Sequence, residues 1–398
     1  METSIASDKA PAAAFAKRLK RRVAARQWDF FAVTAPNLET LCRRELEALP
    51  ADVQALKTVT GGVEFRGRLH DAYAANLHLR TATRILMRLA RFRADSFGRL
   101  EEKLAAVDWE LFLPQACALD IRVTARHSRL YHSRAVADAL GRAVSGRVAV
   151  GAADELPLQR LQLRLSDDRA VLSLDTSGEP LYKRGLKSTG GPAPVRETAA
   201  AAVLMTAGFS AGMALADPMC GTGTFSLEAA LLAQGIAPGR LRNFAFMRWP
   251  SFAPGRWKEA LRRADRRQQR LDRPFIVASD LDPAACETLR GVVGAHEILG
   301  VIRVENRDFF ETAPGPPPAA GGLVVLNPPY GRRLGSRSEG RALVREIFGK
   351  LQADYRSWRL AMILPKGYVE EKPPFAVHFS PLHHGGLKVV LLTGRVPA

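Results

Sequence analysis

Asn327-Pro328-Pro329-Tyr330 is the stretch whose residue types most directly suggest chemistry. The apolar run before it, Leu323 to Leu326, has the length of a buried strand, and Gly331 with Arg332-Arg333 follows. The tetrapeptide is therefore expected at the C-terminal end of a strand, where open parallel α/β sheets bind their ligands. Two consecutive prolines remove two N–H donors and fix φ, so the neighbouring carbonyls are held without a competing local hydrogen bond. With the Asn327 amide, those carbonyls suit an exocyclic NH2 on a flat heterocycle, and Tyr330 offers a stacking face. Taken alone, the four residues equally suit a Pro-rich turn with a half-buried tyrosine.

Upstream, Ala214-Leu215-Ala216 runs into Asp217-Pro218-Met219-Cys220-Gly221-Thr222-Gly223-Thr224-Phe225, and an Ala/Leu-rich helix, Ser226 to Ala233, follows. Strand, acidic residue, Gly-x-Gly and helix describe a loop whose glycines let a ligand approach the backbone near helix N–H donors. No Gly-Lys-Ser/Thr follows, which excludes a Walker loop, and Ser226 stands where a dinucleotide loop has its third glycine. An aspartate at the head of the loop repels a pyrophosphate and suits a cationic amine, which S-adenosyl-L-methionine carries. A second strand, Phe275 to Ser279, ends in Asp280, placed for ribose hydroxyls. A third, Val301 to Glu305, precedes Asp308, placed for the adenine amino group. Each such residue alone reads as a helix cap or turn, but four in this order on successive strands do not.

These residues need a scaffold and a partner. The 398-residue chain has room for two or three domains, and 58 Lys+Arg against 40 Asp+Glu give a net charge of +18, which favours a polyanion such as nucleic acid. Residues 1–195 hold 31 basic and 22 acidic residues, so the excess is not confined to a tail. Four scattered cysteines show neither a disulfide framework nor metal spacing, which implies a reducing cytoplasm and no structural zinc. No apolar stretch is long enough to span a bilayer or to form a signal-peptide core.

The expected organisation is a basic flexible arm over 1–28, a ferredoxin-like α+β unit over 29–95, a second small unit over 96–180 and a catalytic α/β domain over 181–398. In the second unit, the basic loop with Arg126, Arg129 and Tyr131 suits RNA phosphates and stacking, although a solvated capping loop has the same composition. Arg256 to Arg273 is helix-compatible and strongly basic. Phe375 to Phe379 and Leu387 to Thr393, joined by Pro381 to Gly386, read as a closing antiparallel pair.

DPMCGTGTFSLEAA from Asp217, IAPG at Ile236 to Gly239, SDLDP at Ser279 to Pro283 and NPPYG at Asn327 to Gly331 resemble the THUMP-containing class I methyltransferases that make N2-methylguanosine in RNA, the bacterial large-subunit (23S) rRNA enzymes above all. LYKRG at Leu181 to Gly185 resembles that family's junction between the THUMP and catalytic domains. The resemblance implies a Rossmann-like, seven-stranded catalytic domain, a THUMP RNA-binding domain over 96–180, and S-adenosyl-L-methionine as cofactor. It also implies that Asp217, Pro218, Cys220, Gly221, Gly223, Thr224, Asp280, Asp308 and Asn327 line the cofactor, and that Asn327, Pro328, Pro329 and Tyr330 hold the target base. Arg126, Arg129, Tyr131, Lys183 and Arg184 are the expected RNA contacts. Motif physics leaves adenine N6 open beside guanine N2, and leaves open a non-catalytic RNA-binding or ribosome assembly factor on the same fold.

Overall fold

The computed structural model describes residues 5–187, 195–271, 275–329, 337–368, 373–384 and 387–398, with backbone only for 5–11, 337, 384 and 387. Tyr330 and the Gly331-Arg332-Arg333 that follows it lie outside these residues, as does Ser188 to Pro194, a Gly/Pro-rich stretch that the sequence suggests as a connector. The chain divides into two compact units. One gathers Met1–Thr34, Cys42–Leu181 and Arg242–Arg262; the other gathers Ala35–Leu41, Tyr182–Leu241 and Arg263–Ala398. Residues 242–262 lie inside the span expected for the catalytic domain, yet they pack in the first unit. There Phe246 stacks on Tyr73 at 4.3 Å, and the Trp249 indole N–H donates to Gln159 at 2.8 Å. The signal for this excursion is the aromatic cluster Phe244, Phe246, Trp249, Phe252 and Trp257 in an otherwise basic segment.

The first unit is built on eight strands: β1 (Trp28–Thr34), β2 (Gln54–Val59), β3 (Gly62–Gly67), β4 (Ala82–Arg93), β5 (Ala116–Arg126), β6 (Ala149–Val150), β7 (Leu158–Ser166) and β8 (Arg169–Asp175). Their order is β2-β3-β1-β4-β8-β7-β5-β6. β1 alternates buried and part-exposed positions along its whole length, as expected of a strand with one face on a core. The two small units read separately from the sequence share this one sheet, because β4 runs for 12 residues and pairs with β1 on one side and β8 on the other.

The basic stretch expected as a flexible arm is helical over Ile5–Leu19, with a π turn at Lys20–Ala24. Arg18 pairs with Glu110 and Arg22 with Asp108, Val23 is fully buried, and the Trp28 indole N–H donates to the Val23 carbonyl at 3.1 Å. Local acidic partners and one apolar anchor thus order a segment whose composition suggested a solvated tail. The basic stretch from Arg256 is helical only within Pro254–Asp265, after which the Gln269 N–H donates to the Gln234 carbonyl.

The second unit is a seven-stranded sheet of β9 (Ala214–Asp217), β10 (Ile276–Asp280), β11 (Ile302–Asn306), β12 (Gly322–Leu326), β13 (Arg359–Pro365), β14 (Val377–His384) and β15 (Leu387–Arg395), in the order β11-β10-β9-β12-β13-β15-β14. The first five are parallel neighbours, and β15 pairs antiparallel with both β13 and β14. β12 is buried at every position, so it reads as a continuous apolar run. Leu215, Leu323, Val325 and Ile363 pack in one core, and Ala216, Val324, Leu326 and Met362 pack in another. The closing strand β14 includes Pro381, which the sequence suggested as part of a connection. As the edge strand, β14 accommodates a residue that cannot donate to the ladder.

Candidate active site

In this sheet the chain runs from β9 to β10 and β11 on one side and to β12 and β13 on the other, so β9 and β12 flank a topological switch point. Register aligns the strand ends, with Ala278 beside Asp217 and Asp280 beside Asn306. Asp217, Asp280 and Asn327 thereby come to the same edge, as the motif order suggested.

The loop after β9 is held by its neighbours. The Cys220 N–H donates to the Ser279 carbonyl at 3.0 Å, and the Gly221 N–H donates to Asp280 Oδ2 at 2.7 Å. The two glycines differ in purpose. Gly223 has φ +75° at the start of the helix Thr224–Ala233, and a Cβ there would lie 2.4 Å from the buried Leu289 side chain. Gly221 has φ +52°, and a Cβ there would meet nothing within 4 Å. That open space is a cradle for a ligand. Pro218 is buried, and Cys220 is a half-buried thiol whose pKa is pushed up by burial and then by Asp217 and Asp280, so it is inert rather than nucleophilic.

Asp217 is fully buried. Its Oδ2 accepts from the Ser226 hydroxyl at 2.7 Å and the Ser226 N–H at 3.2 Å, while its Oδ1 has no partner among the described residues. Burial pushes its pKa up to about 7, against the lowering effect of the Ser226 bonds. A cationic amine at Oδ1 would satisfy the orphaned atom and favour the carboxylate. Nearby, the Lys187 ammonium donates to Thr224 Oγ1 at 3.0 Å and Thr222 Oγ1 at 3.3 Å, and burial lowers its pKa while Glu197, Asp217 and Glu228 raise it. Lys187 tethers both threonines of the loop. A lysine in a basic linker reads as surface, and only the tertiary contacts reveal its place.

Asp280 accepts from Gly221 and, through Oδ1, from the Asp282 N–H at 3.0 Å, and each oxygen keeps a lone pair for a ribose hydroxyl. Beyond it, Leu281, Asn306, Arg307, Asp308, Glu311, Thr312 and Ala313 line a cleft of about 560 Å³. Leu281 is 70% exposed there, which gives a flat ring an apolar surface. Asp308 Oδ1 accepts from the Phe310 N–H at 2.9 Å, and its Oδ2 has no partner among the described residues, leaving an acceptor for an exocyclic amine. The orphaned Asp217 oxygen, the Gly221 cradle and this cleft fit the amine, the backbone approach and the adenosine of S-adenosyl-L-methionine. Leu281 and Asn306 were missed by sequence reasoning, because an exposed leucine and a strand-end asparagine carry no local signal.

At the end of β12, Asn327 is half-buried and its Oδ1 is a buried acceptor with no partner among the described residues. Pro328 is buried and Pro329 exposed. One expectation is corrected. Arg184, expected on RNA, is buried, with Nε 2.8 Å from Glu228 Oε1 and Nη2 3.4 Å from Oε2. This forked ion pair fixes the segment before β9 to the helix behind the cofactor loop, so the guanidinium is not available to a phosphate. Lys183 is exposed, as are Arg126, Arg129 and Tyr131, the last stacked against His132 at 4.1 Å. Among the described residues no group of three or more His, Cys, Asp or Glu side chains converges on a metal position, and no helix is long and apolar enough to cross a membrane.

Comparison with known proteins gives matches to an RMKL-like methyltransferase domain over residues 184–371 and an RlmL ferredoxin-like domain over residues 29–86. The ribosomal RNA large subunit methyltransferase K/L of Methylococcus capsulatus is 37% identical over 354 residues, which are 84% of this chain and 46% of that protein. The chain spans about half the length of this relative and of the K/L methyltransferase of Syntrophotalea carbinolica, which is 33% identical over 91% of this chain and 53% of that protein. A crystal structure from Listeria monocytogenes, described as a predicted N6-adenine-specific DNA methylase, aligns with a TM-score of 0.81 at 27% identity, covering 95% of this chain and 98% of that one. The structure of SMU.472, described as a putative methyltransferase complexed with SAH, aligns with a TM-score of 0.82 at 25% identity, covering 94% of this chain and 99% of that one. With both matches in this order and the seven-stranded sheet beneath the Gly-x-Gly loop, the chain carries an RMKL-like methyltransferase domain preceded by an RlmL-type ferredoxin-like domain.

Proposed function

We propose that this chain transfers the methyl group of S-adenosyl-L-methionine to an exocyclic amine of an RNA base, and that the amine is guanine N2 in large-subunit ribosomal RNA. The observation that carries the chemistry is Asn327 Oδ1, a buried acceptor with no donor among the described residues, at the cofactor edge of the sheet. A buried, unsatisfied carbonyl costs about 1–3 kcal/mol, and a base N–H removes that cost. The amine is a weak nucleophile because its lone pair is delocalised into the ring. Donating its N–H groups to Asn327 Oδ1 and to the carbonyls beside Pro328 returns density to nitrogen and aims the lone pair. The proton leaves after transfer, so no strong base is needed and the rate comes from positioning. The cofactor supplies an electrophilic methyl; Asp217, Gly221, Asp280 and Asp308 would hold it. Tyr330 would stack on the base, which must be unpaired or flipped to reach the edge.

The choice of guanine rests on the motif resemblance and on the ribosomal RNA relatives. Residues 96–180 are read as a THUMP-type RNA-binding domain, and with ribosomal RNA as substrate the protein would act in the cytoplasm. Adenine N6 is the second reading, favoured by the description of the Listeria structure. The test is transfer of labelled methyl to RNA from cells lacking this protein, followed by nucleoside analysis. Label in N2-methylguanosine of large-subunit RNA is expected. Label in N6-methyladenosine would keep the amine chemistry and overturn the base, and absence of label with intact cofactor binding would leave an RNA-binding factor.

A further inference from the structure

Cross-strand register in the eight-stranded sheet sorts its side chains to two faces. Met87 pairs with Phe30 and Leu174, and Leu174 with Leu161, all fully buried on the core face. Positions on the opposite face carry arginines, and the register shift between Arg88 and Ala90 keeps Arg91 and Arg93 on that face with Arg88. Across β4 and β8, Arg88 pairs with Ser173, Arg91 with Val171 and Arg93 with Arg169. On β7, Arg164 pairs with Val171, and on β5, Arg122 and Arg126 lie beside Gln162 and Ser166. Arg91, Arg93, Arg122, Arg126, Arg164 and Arg169 are all exposed.

The carboxylates on this face do not balance the charge. Asp120 is shared by Arg122 at 2.7 Å and Arg160 at 2.6 Å, Arg91 has Glu64 at 3.1 Å and Asp29 at 3.9 Å, and Arg93 has Asp95 at 3.9 Å. Among the described residues no carboxylate lies within 4 Å of Arg88, Arg126, Arg164 or Arg169. Arg88 marks the centre. Its guanidinium covers the Phe31 ring at 4.6 Å and donates to Ser173 Oγ at 2.8 Å, while its Nε is buried without an acceptor. Burial, with Arg91 and Arg164 beside it, lowers its pKa to about 10, the condition of a cation lacking an anion.

We propose that this arginine face docks RNA through its sugar-phosphate backbone, on strands distinct from those that carry the methyl-transfer site. Forked guanidinium groups match phosphate oxygens. The strand aromatic on this face, Phe31, is already covered by Arg88, so the strands offer backbone contacts rather than a stacking platform for bases. The kind of polyanion rests on the RNA methyltransferase reading above.

The test uses the full-length protein and a triple variant, Arg93→Ala with Arg122→Ala and Arg164→Ala, all exposed positions outside the cofactor site. Each is titrated with a fluorescent RNA duplex of roughly 20 base pairs, somewhat longer than the ~16 a compact duplex-binding domain spans. Titrations run across roughly 50–200 mM salt. The triple variant is expected to bind at least ~10-fold more weakly, with the log–log salt slope reduced by about 2–3, while S-adenosylhomocysteine affinity is unchanged. Arg→Lys at the same three positions should retain the slope. An alanine variant that binds with the parent's affinity and slope would overturn the surface, and so would a parent that does not bind the duplex or that prefers a DNA duplex of the same sequence. The two readings fail separately. RNA binding through this face without methyl transfer sinks the enzyme and keeps the surface, whereas methyl transfer with unchanged RNA binding by the variant does the reverse.

Discussion

At the cofactor end of the seven-stranded sheet, charges are buried or half-buried and held by named single atoms, Arg184 by Glu228, Lys187 by two threonines and the Asp280 carboxylate by two backbone N–H groups, with Asp217 Oδ1 left open among the described residues. On the arginine face of the eight-stranded sheet, most charges are exposed, predominantly positive and incompletely answered. The first arrangement fixes a small ligand by placing single atoms. The second accumulates potential over several strands and tolerates the loss of any one member. Removal of a single side chain should therefore be severe in the first region and graded in the second.

The largest effect expected is on Arg184. Arg184→Met takes the guanidinium away from the buried Glu228 carboxylate, and breaking a buried pair from one side costs about 3–5 kcal/mol. Chemical denaturation should register this, whereas a fall under about 1 kcal/mol would mean that the pair behaves like a surface bridge. Next is Asn327→Ala, expected to lower kcat by ~10²–10³-fold, the scale of losing one preorganised group at a reacting centre, with S-adenosylhomocysteine affinity retained. Lost cofactor affinity with unchanged kcat would move Asn327 out of the base site. The smallest is a pH effect. With its pKa raised to about 7, Asp217 is protonated in the free protein below that value, and an ammonium at Oδ1 selects the carboxylate, so binding releases a proton. S-adenosylhomocysteine affinity should then rise by up to about tenfold per pH unit toward pH 7 and flatten above it, and Asp217→Asn should abolish the slope. A flat profile in the parent would show that the amine lies elsewhere.

The same contrast explains what could be read from the chain. Asp217, Gly221, Asp280 and Asn327 were legible because each follows an apolar strand, and strand ends in a parallel sheet converge regardless of the intervening sequence. Strand and helix positions were also legible, since alternation in β1 and the unbroken apolar run of β12 follow directly from one-sided and two-sided burial. Lys187 and Arg184 were not, because a basic residue in a linker looks the same whether it faces water or a buried acceptor. The arginine face was invisible for a different reason. Its members are scattered over β4, β5, β7 and β8, and only strand register brings them together. The packing of residues 242–262 in the first unit likewise depends on where the distant helix Leu69–His78 delivers Tyr73 and β7 delivers Gln159.

The long strand β4 has a consequence for how the chain is made. Its partner β8 lies roughly eighty residues further on, so about 4–16 s of synthesis at ~5–20 residues per second separates the two. Through that interval the nascent ferredoxin-like half presents an open ladder, with Arg88, Arg91 and Arg93 along it. Like charges at an unpaired margin discourage neighbouring nascent chains from adding a strand, so these side chains act as gatekeepers until β8 arrives.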